Sequence, residues 1–287
     1  FADGIVLTHD QLLERGFSLS GTAGNDIITG TDVIDRITGG DGEDHLEGRG
    51  GTDTLSGGDG ADLLIGGAGD DLLQGGLGND QLFGDDGDDV LDGGANDDVL
   101  VGGDGTDILV GGVGDDQLLG GAGNDTFQFN LGDGIDSISD AIDTGEPNRV
   151  VFGAGITSSS LTLTTDFGQI LVLPSAALEG VTIGANGSDV LGFRSVDLFQ
   201  FADGTSITYT ELVARGFDLD GTDFDDALLG TNVVDRITGG AGNDQLEGGE
   251  GGDTYFFNLG DGVDTIADVS AAGAGNTVFF GPGITSD

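Results

Sequence analysis

The chain has 287 residues, 60 of them glycine, and its 53 acidic residues face seven arginines and no lysine, for a formal charge of −46. That sign of charge excludes nucleic-acid binding, the lack of any 18-residue apolar run excludes a spanning helix, and the absence of cysteine removes a disulfide framework. Glycine and charge at these levels ordinarily signal disorder, so a fold here must come from pattern and from whatever neutralises the acid.

Residues 1–20 are expected to be the end of a preceding cap with a short helix. FADG (Phe1–Gly4) leads into a capping box, Thr8 to Gln11, with Leu12 and Leu13 on the apolar side and Gly16 where a helix stops. The arrangement recurs as Thr208 to Glu211, Leu212 and Val213, and Gly216. Residues 1–48 align with 201–248 at a constant offset of 200 with 27 identities, including DRITGG-x-G at Asp35–Gly42 and Asp235–Gly242. Residues 125–158 align with 253–286 at an offset of 128 and share FNLGDG. With no methionine and Phe1 at its start, the chain reads as an excerpt of a tandem array.

Residues 21–128 divide into twelve nonapeptides without insertion or deletion. Glycine opens each, from Gly21 to Gly120, and a large apolar residue stands eighth. Aspartate stands sixth: Asp26, Asp35, Asp44, Asp53, Asp62, Asp71, Asp80, Asp89, Asp98, Asp107, Asp116 and Asp125. A fixed short period marks a solenoid. One apolar residue per repeat points one side chain inward from one short strand. The chain must then reverse every nine residues, and residues 18 apart stack. Two inner rows are predicted: Ile28, Leu46, Leu64, Leu82, Leu100, Leu118, and Ile37, Leu55, Leu73, Leu91, Leu109, Phe127. The glycines at positions one, two and four permit torsions that turn carbonyls inward. They include Gly40, Gly42, Gly58, Gly60, Gly67, Gly69, Gly76, Gly78, Gly103, Gly105, Gly112, Gly114, Gly121 and Gly123.

Such stacking sets an electrostatic problem. Coils about 4.8 Å apart place Asp62 beside Asp80 and Asp71 beside Asp89 along a whole edge. Carboxylates at that spacing repel unless a cation lies between them, and the chain supplies almost none. Hard carboxylate and carbonyl oxygens, without cysteine and with two histidines, select Ca²⁺ over zinc or copper.

The pattern GGxGxDxUx, unbroken in GGAGDDLLQ (66–74), GGLGNDQLF (75–83) and GGAGNDTFQ (120–128), resembles the RTX, or haemolysin-type, calcium-binding repeat. The resemblance implies an all-β fold, a right-handed parallel β-roll (β-solenoid). It also implies Ca²⁺ between loops n and n+2, held by the sixth-position aspartates and loop carbonyls. Not every loop fits equally. Val33 and Ile34 spoil loop 30–35, so the weakest or absent site is expected at Asp35, with full sites from Asp44 to Asp125. Arg49 and Asp85 replace the second glycine of their loops, and Asn96 replaces the fourth-position one.

After Gln128 the register slips by two residues, and 131–139 restores Gly132, Gly134, Asp136 and Ile138. The first roll is therefore placed at 21–139, with a ceiling of eleven ions from thirteen loops. A β-rich cap or bridge with a short helix is expected over 140–220, its strands near Leu161 and Leu163, Ile170–Leu173, Val181–Ile183 and Val196–Phe201. A second, shorter roll follows at 221–267, with Asp226, Asp235, Asp244, Asp253 and Asp264 and a ceiling of three ions, and 268–287 begins a further cap.

On the outer face, Ile65, Phe83, Val101 and Leu119 recur at 18-residue spacing beside Leu63 and Val99. They predict an apolar stripe that the 140–200 segment or a protein partner covers. No HExxH, GxSxG or phosphate-binding loop is present, and His9 and His45 have no matching ligand cluster, so no enzymatic activity is expected. Two functions are compatible with these features. One is a Ca²⁺-triggered folding module of a large secreted protein, which the resemblance implies crosses an export channel unfolded; a toxin, protease, lipase, epimerase or adhesin could carry it. The other is an adhesin or ligand-binding module that uses the flat outer sheet. Ice binding would want a regular outward threonine row, and none exists.

Overall fold

In each nonapeptide the inward eighth residue lies between two outward ones, and the chain folds on that alternation. The computed structural model describes residues 16–139, 147–166, 169–174, 180–184, 195–267 and 275–284. The expected helix near Thr8–Leu13 lies outside them. Strands from alternate repeats stack in parallel to form two long sheets. One runs from Phe17–Ser20 through Asp35–Asp41, Thr54–Asp59, Leu72–Leu77, Val90–Ala95 and Ile108–Val113 to Thr126–Phe129. The other runs from Ile27–Thr29 through His45–Gly50, Leu63–Ala68, Gln81–Asp86, Val99–Asp104 and Gln117–Ala122 to Ile135–Ile138.

Register follows the sequence period. Leu46 pairs with Leu64, Leu64 with Leu82 and Leu82 with Leu100, each 18 residues apart. The slip after Gln128 shows as a 20-residue step, Leu118 opposite Ile138. Leu46, Leu55, Leu64, Leu73, Leu82, Leu91, Leu100 and Leu109 are each 0% exposed, and Ile28 is partly buried. The strands extend beyond the inward residue and its two neighbours. Leu63–Ala68 spans six, because coils of equal length keep their backbones in register through the second and third positions of the next repeat.

Aromatic residues take over the core beyond Gln128. Phe152 stacks on Phe199 and Phe201, with ring centroids 6.2 and 5.5 Å apart, and meets Phe129 edge-on at 6.1 Å. Strands Arg149–Phe152 and Leu198–Phe201 continue the first sheet. Leu161–Asp166, Gln169–Pro174 and Gly180–Gly184 form an antiparallel meander whose last strand pairs parallel with Ile135–Ile138. The helix Tyr209–Val213 forms as its capping box predicts: Glu211 N donates to Thr208 Oγ1 at 3.2 Å and Thr208 N to Glu211 Oε2 at 2.9 Å. It buries Leu212 and Val213 and ends before Gly216, at φ 83°.

The pattern then restarts. Phe217–Asp220, Asp235–Thr238, Thr254–Phe257 and Thr277–Phe280 form one parallel sheet; Ala227–Leu229, Gln245–Glu247 and Thr265–Ile266 form another. Ile237, Leu246 and Tyr255 fill their core. Thr277–Phe280 lies at the edge of its sheet, with Phe279 and Phe280 each 59% exposed.

Candidate metal centre

The loops at the sheet margins are built from glycines of two kinds. In most inner loops positions two and four carry positive φ: 124° at Gly40, 123° at Gly58, 121° at Gly76, 122° at Gly42 and 124° at Gly69, though the position-four glycines Gly24 and Gly114 do not. Here an L-residue is strained. Arg49, Asp85 and Asn96 nevertheless hold φ of 80°, 73° and 80° at such positions. Position-one glycines have no positive φ, so the predicted torsional reason does not apply to them. They are needed for space. A Cβ on Gly57 would lie 2.2 Å from Asp62 Oδ2 and 2.7 Å from the Gly75 carbonyl oxygen of the next coil, and Gly75 is placed likewise between Asp80 and Gly93.

The aspartates at position six stack 18 residues apart and are joined by a hydrogen-bond ladder. Each backbone amide donates to Oδ1 of the aspartate one coil on: Asp44 to Asp62, Asp53 to Asp71, Asp62 to Asp80, Asp71 to Asp89, Asp80 to Asp98, all at 2.7–2.8 Å. Asp89 and Asp98 continue it to Asp107 and Asp116 at 2.8 Å. Asp107 reaches Asp125 at 2.9 Å, and Asp116 reaches Asp136 at 3.2 Å. The second set repeats it, Asp226 to Asp244, Asp235 to Asp253 and Asp244 to Asp264, at 2.9, 2.9 and 3.0 Å. One oxygen of each carboxylate is thus accounted for.

The other oxygen is not. Oδ2 of Asp44, Asp53, Asp62, Asp71, Asp80, Asp89, Asp98, Asp107, Asp116, Asp136 and Asp244 is buried and receives no hydrogen bond. A buried ionised oxygen without a donor is costly. Burial pushes the carboxyls of Asp71, Asp98 and Asp107 up to about 7 and Asp136 to about 8, with the adjacent carboxylates adding to it. Asp80, Asp89 and Asp116 rise to about 6 for the same first reason.

This donor set fits a hard cation. At Gly57, Gly66, Gly75, Gly84, Gly93 and Gly102 the aspartate Oδ2 and the glycine carbonyl oxygen of the next coil converge, both within 3 Å of where a Cβ would stand. Among the described residues no three acidic or imidazole side chains converge on one point. Any ion held here would therefore draw its remaining ligands from backbone carbonyls. Ca²⁺ accepts such mixed oxygen sets and zinc rarely does.

Not every aspartate named from the sequence sits alike. Asp26, Asp35 and Asp235, and Asp226 with them, accept hydrogen bonds from the threonine four residues earlier. Asp264 is half-buried. At the far end of the rows, asparagine takes the aspartate's place: Asp125 N donates to Asn148 Oδ1 at 2.7 Å and Asp253 N to Asn276 Oδ1 at 2.9 Å. Sequence reasoning missed these asparagines because they lie 23 residues on rather than 18. The threonines were visible as GT where inner repeats have GG. On the outer face Ile65, Phe83, Val101 and Leu119 stack in register, the first three half-buried and Leu119 37% exposed.

The family model described as RTX calcium-binding nonapeptide repeat (4 copies) matches residues 20–55, 29–64, 56–91, 65–100, 92–127, 101–138, 220–255 and 229–266, more than half of the chain. No curated protein matches it. Among solved structures, the extracellular lipase LipA from Serratia marcescens is 19% identical, with 63% of this chain and 39% of that chain covered and a TM-score of 0.24. The chain thus spans about two fifths of that structure's length. By its repeats and the loops they build, the chain belongs to the RTX calcium-binding nonapeptide repeat family.

Proposed function

We propose that this chain is the Ca²⁺-dependent folding module of a larger secreted protein, open where Ca²⁺ is scarce and folded outside the cell. The observation that carries this reading is the set of buried Asp Oδ2 atoms without a donor, repeated up both margins. Asp44, Asp53, Asp62, Asp71, Asp80, Asp89, Asp98, Asp107, Asp116, Asp125 and Asp136 would hold the ions of the first roll, 21–139. Asp244, Asp253 and Asp264 would serve the second, 221–267. The fourth-position glycines, Gly42, Gly60, Gly69, Gly78, Gly105, Gly114 and Gly123, shape the loops for it. Bound Ca²⁺ would supply the positive charge and oxygen affinity that the seven arginines cannot.

The chain's own contribution is to space the carboxylates, bury them and orient one oxygen of each inward. Without an ion, repulsion and desolvation oppose the fold, so binding energy becomes folding energy. Extracellular Ca²⁺ modules bind with Kd of about 10⁻⁴–10⁻³ M, which suits folding after export. The test is far-UV circular dichroism during a Ca²⁺ titration, with Mg²⁺ as control. Cooperative gain of strand signal with Ca²⁺ alone is expected; the same strand signal in chelator overturns the reading.

A further inference from the structure

Two kinds of loop close the coils, and the sign of φ at position two separates them. Inner loops have positive φ there, 103–126° at Gly40, Gly58, Gly67, Gly76, Gly103 and Gly112 among others and 73–90° at Arg49, Asp85, Gly240 and Gly249, and Oδ2 of the aspartates from Asp44 to Asp116 and of Asp244 has no donor. The first two loops of each set have threonine instead, at Thr22, Thr31, Thr222 and Thr231, and none of these has positive φ. Without that inverted torsion, the threonine amide and hydroxyl both turn onto the oxygen that is bare elsewhere. Thr22 N and Oγ1 lie 2.6 and 2.9 Å from Asp26 Oδ2. Thr31 N and Oγ1 lie 2.6 and 2.9 Å from Asp35 Oδ2. Thr222 repeats this on Asp226 at 2.6 and 2.8 Å, and Thr231 on Asp235 at 2.7 and 3.0 Å.

The surrounding cradle is otherwise the same. A Cβ on Gly21 would meet Asp26 Oδ2 and the Gly39 carbonyl oxygen, as a Cβ on Gly57 would meet Asp62 Oδ2 and the Gly75 oxygen. The geometry points to a threonine lock: Thr22, Thr31, Thr222 and Thr231 fill the cation's place in the first coil of each roll, making it a metal-free platform for the ion-dependent coils. A neutral N–H and O–H satisfy Oδ2 directly; Thr231 Oγ1 also reaches Asp235 Oδ1 at 3.1 Å, whereas Oδ1 of Asp35 stays buried without a donor. Among the described residues only the strands Phe17–Ser20 and Phe217–Asp220, with no sixth-position aspartate, stack ahead of these coils, so this lock gives the stack an end that does not depend on occupancy. Solenoids need such an end, since each coil is stabilised by its neighbours.

The inference rests on the Ca²⁺ reading above, and one experiment separates the two. Ca²⁺ bound per chain at saturation is measured by equilibrium dialysis on the full chain, with circular dichroism confirming the fold. Wild type that takes up no Ca²⁺ ends the parent reading. With wild type loaded, Asp26→Asn/Asp35→Asn is expected to bind the wild-type number of ions. Thr22→Gly/Thr31→Gly, which restores the inner-loop GG, is expected to bind one further ion per threonine replaced. Thr22→Val/Thr31→Val removes only the hydroxyls and is expected to raise the Ca²⁺ midpoint for folding several-fold. Loss of ions in the asparagine variant, or an unchanged count in the glycine variant, overturns the lock. Should the asparagine variant not fold, the glycine variant decides alone.

Discussion

The backbone amide of Asp62 donates to Oδ1 of Asp80 at 2.8 Å, while Oδ2 of Asp80 lies buried with no donor at all. One side chain thus performs two tasks: it splices adjacent coils and it presents a bare oxygen to the loop interior. Asp80→Asn separates them, because the carboxamide oxygen still accepts from Asp62 while the charge is gone. The variant is expected to stack normally when Ca²⁺ is in excess, to bind less Ca²⁺ per chain, and to lose about 1–3 kcal/mol of ion-coupled folding energy. Isothermal titration alongside circular dichroism checks it. Wild-type stoichiometry in a folded Asp80→Asn chain removes Asp80 from the ligand set.

Protons should substitute for the cation. Burial raises the folded-state carboxyls of Asp71, Asp98 and Asp107 to about 7 and of Asp136 to about 8, above an unfolded value of 3.8. Raised folded values favour the fold when the groups are protonated, so the metal-free fold gains stability as pH falls. That contribution is complete below about 4 and is lost as pH climbs through 6 to 8. In chelator, strand signal is expected to increase on acidification from pH 8 to pH 4 and to vanish on return. With Ca²⁺, the midpoint concentration should rise as pH falls below 7, because protons compete for the same oxygens. A chelated chain equally unstructured at both pH values contradicts the burial assigned to these groups.

Position-one glycines are expected to be intolerant for reasons of space alone. In Gly57→Ala the new methyl meets Asp62 Oδ2 at 2.2 Å and the Gly75 carbonyl oxygen at 2.7 Å, displacing the two oxygens proposed to face the ion. A cost above about 3 kcal/mol is expected, with Ca²⁺ affinity reduced in step. Gly24→Ala is the control. Nothing lies within 4 Å of its Cβ and its φ is not positive, so a change within about 0.5 kcal/mol is expected. Urea unfolding at saturating Ca²⁺ distinguishes the two.

What the sequence made legible followed from periodicity. An apolar residue every ninth position fixed both inner rows, and the 18-residue stacking of Asp62 on Asp80 followed from reversing the chain each repeat. The capping box at Thr208 was readable because it is local. What was not legible depends on atoms brought together by stacking. Nothing in GG says that the first glycine is needed for space and the second for torsion. Nor does a period of nine reveal that Asn148, 23 residues beyond Asp125, ends the carboxylate row with an uncharged acceptor.

Among the described residues, Arg49 and Asp85 are the left-handed ones that are neither glycine nor asparagine, and they offer the final test. Arg49 and Asp85 occupy position two with φ of 80° and 73°, where their neighbours above and below, Gly67 and Gly103, hold 109° and 126°. Side chains other than glycine lose about 1–2 kcal/mol in the left-handed region. Arg49→Gly and Asp85→Gly should therefore each stabilise the Ca²⁺-loaded fold by about 1 kcal/mol, less the entropy glycine adds to the unfolded chain. They should differ in chelator. Asp85→Gly also removes a negative charge that acts on buried Asp89, whereas Arg49→Gly removes a cation that lies 3.6 Å from Glu47. Asp85→Gly is thus expected to lower the Ca²⁺ midpoint more than Arg49→Gly does. Thermal unfolding across a Ca²⁺ series measures both effects, and equal midpoint shifts in the two variants would show that backbone strain alone matters at this position.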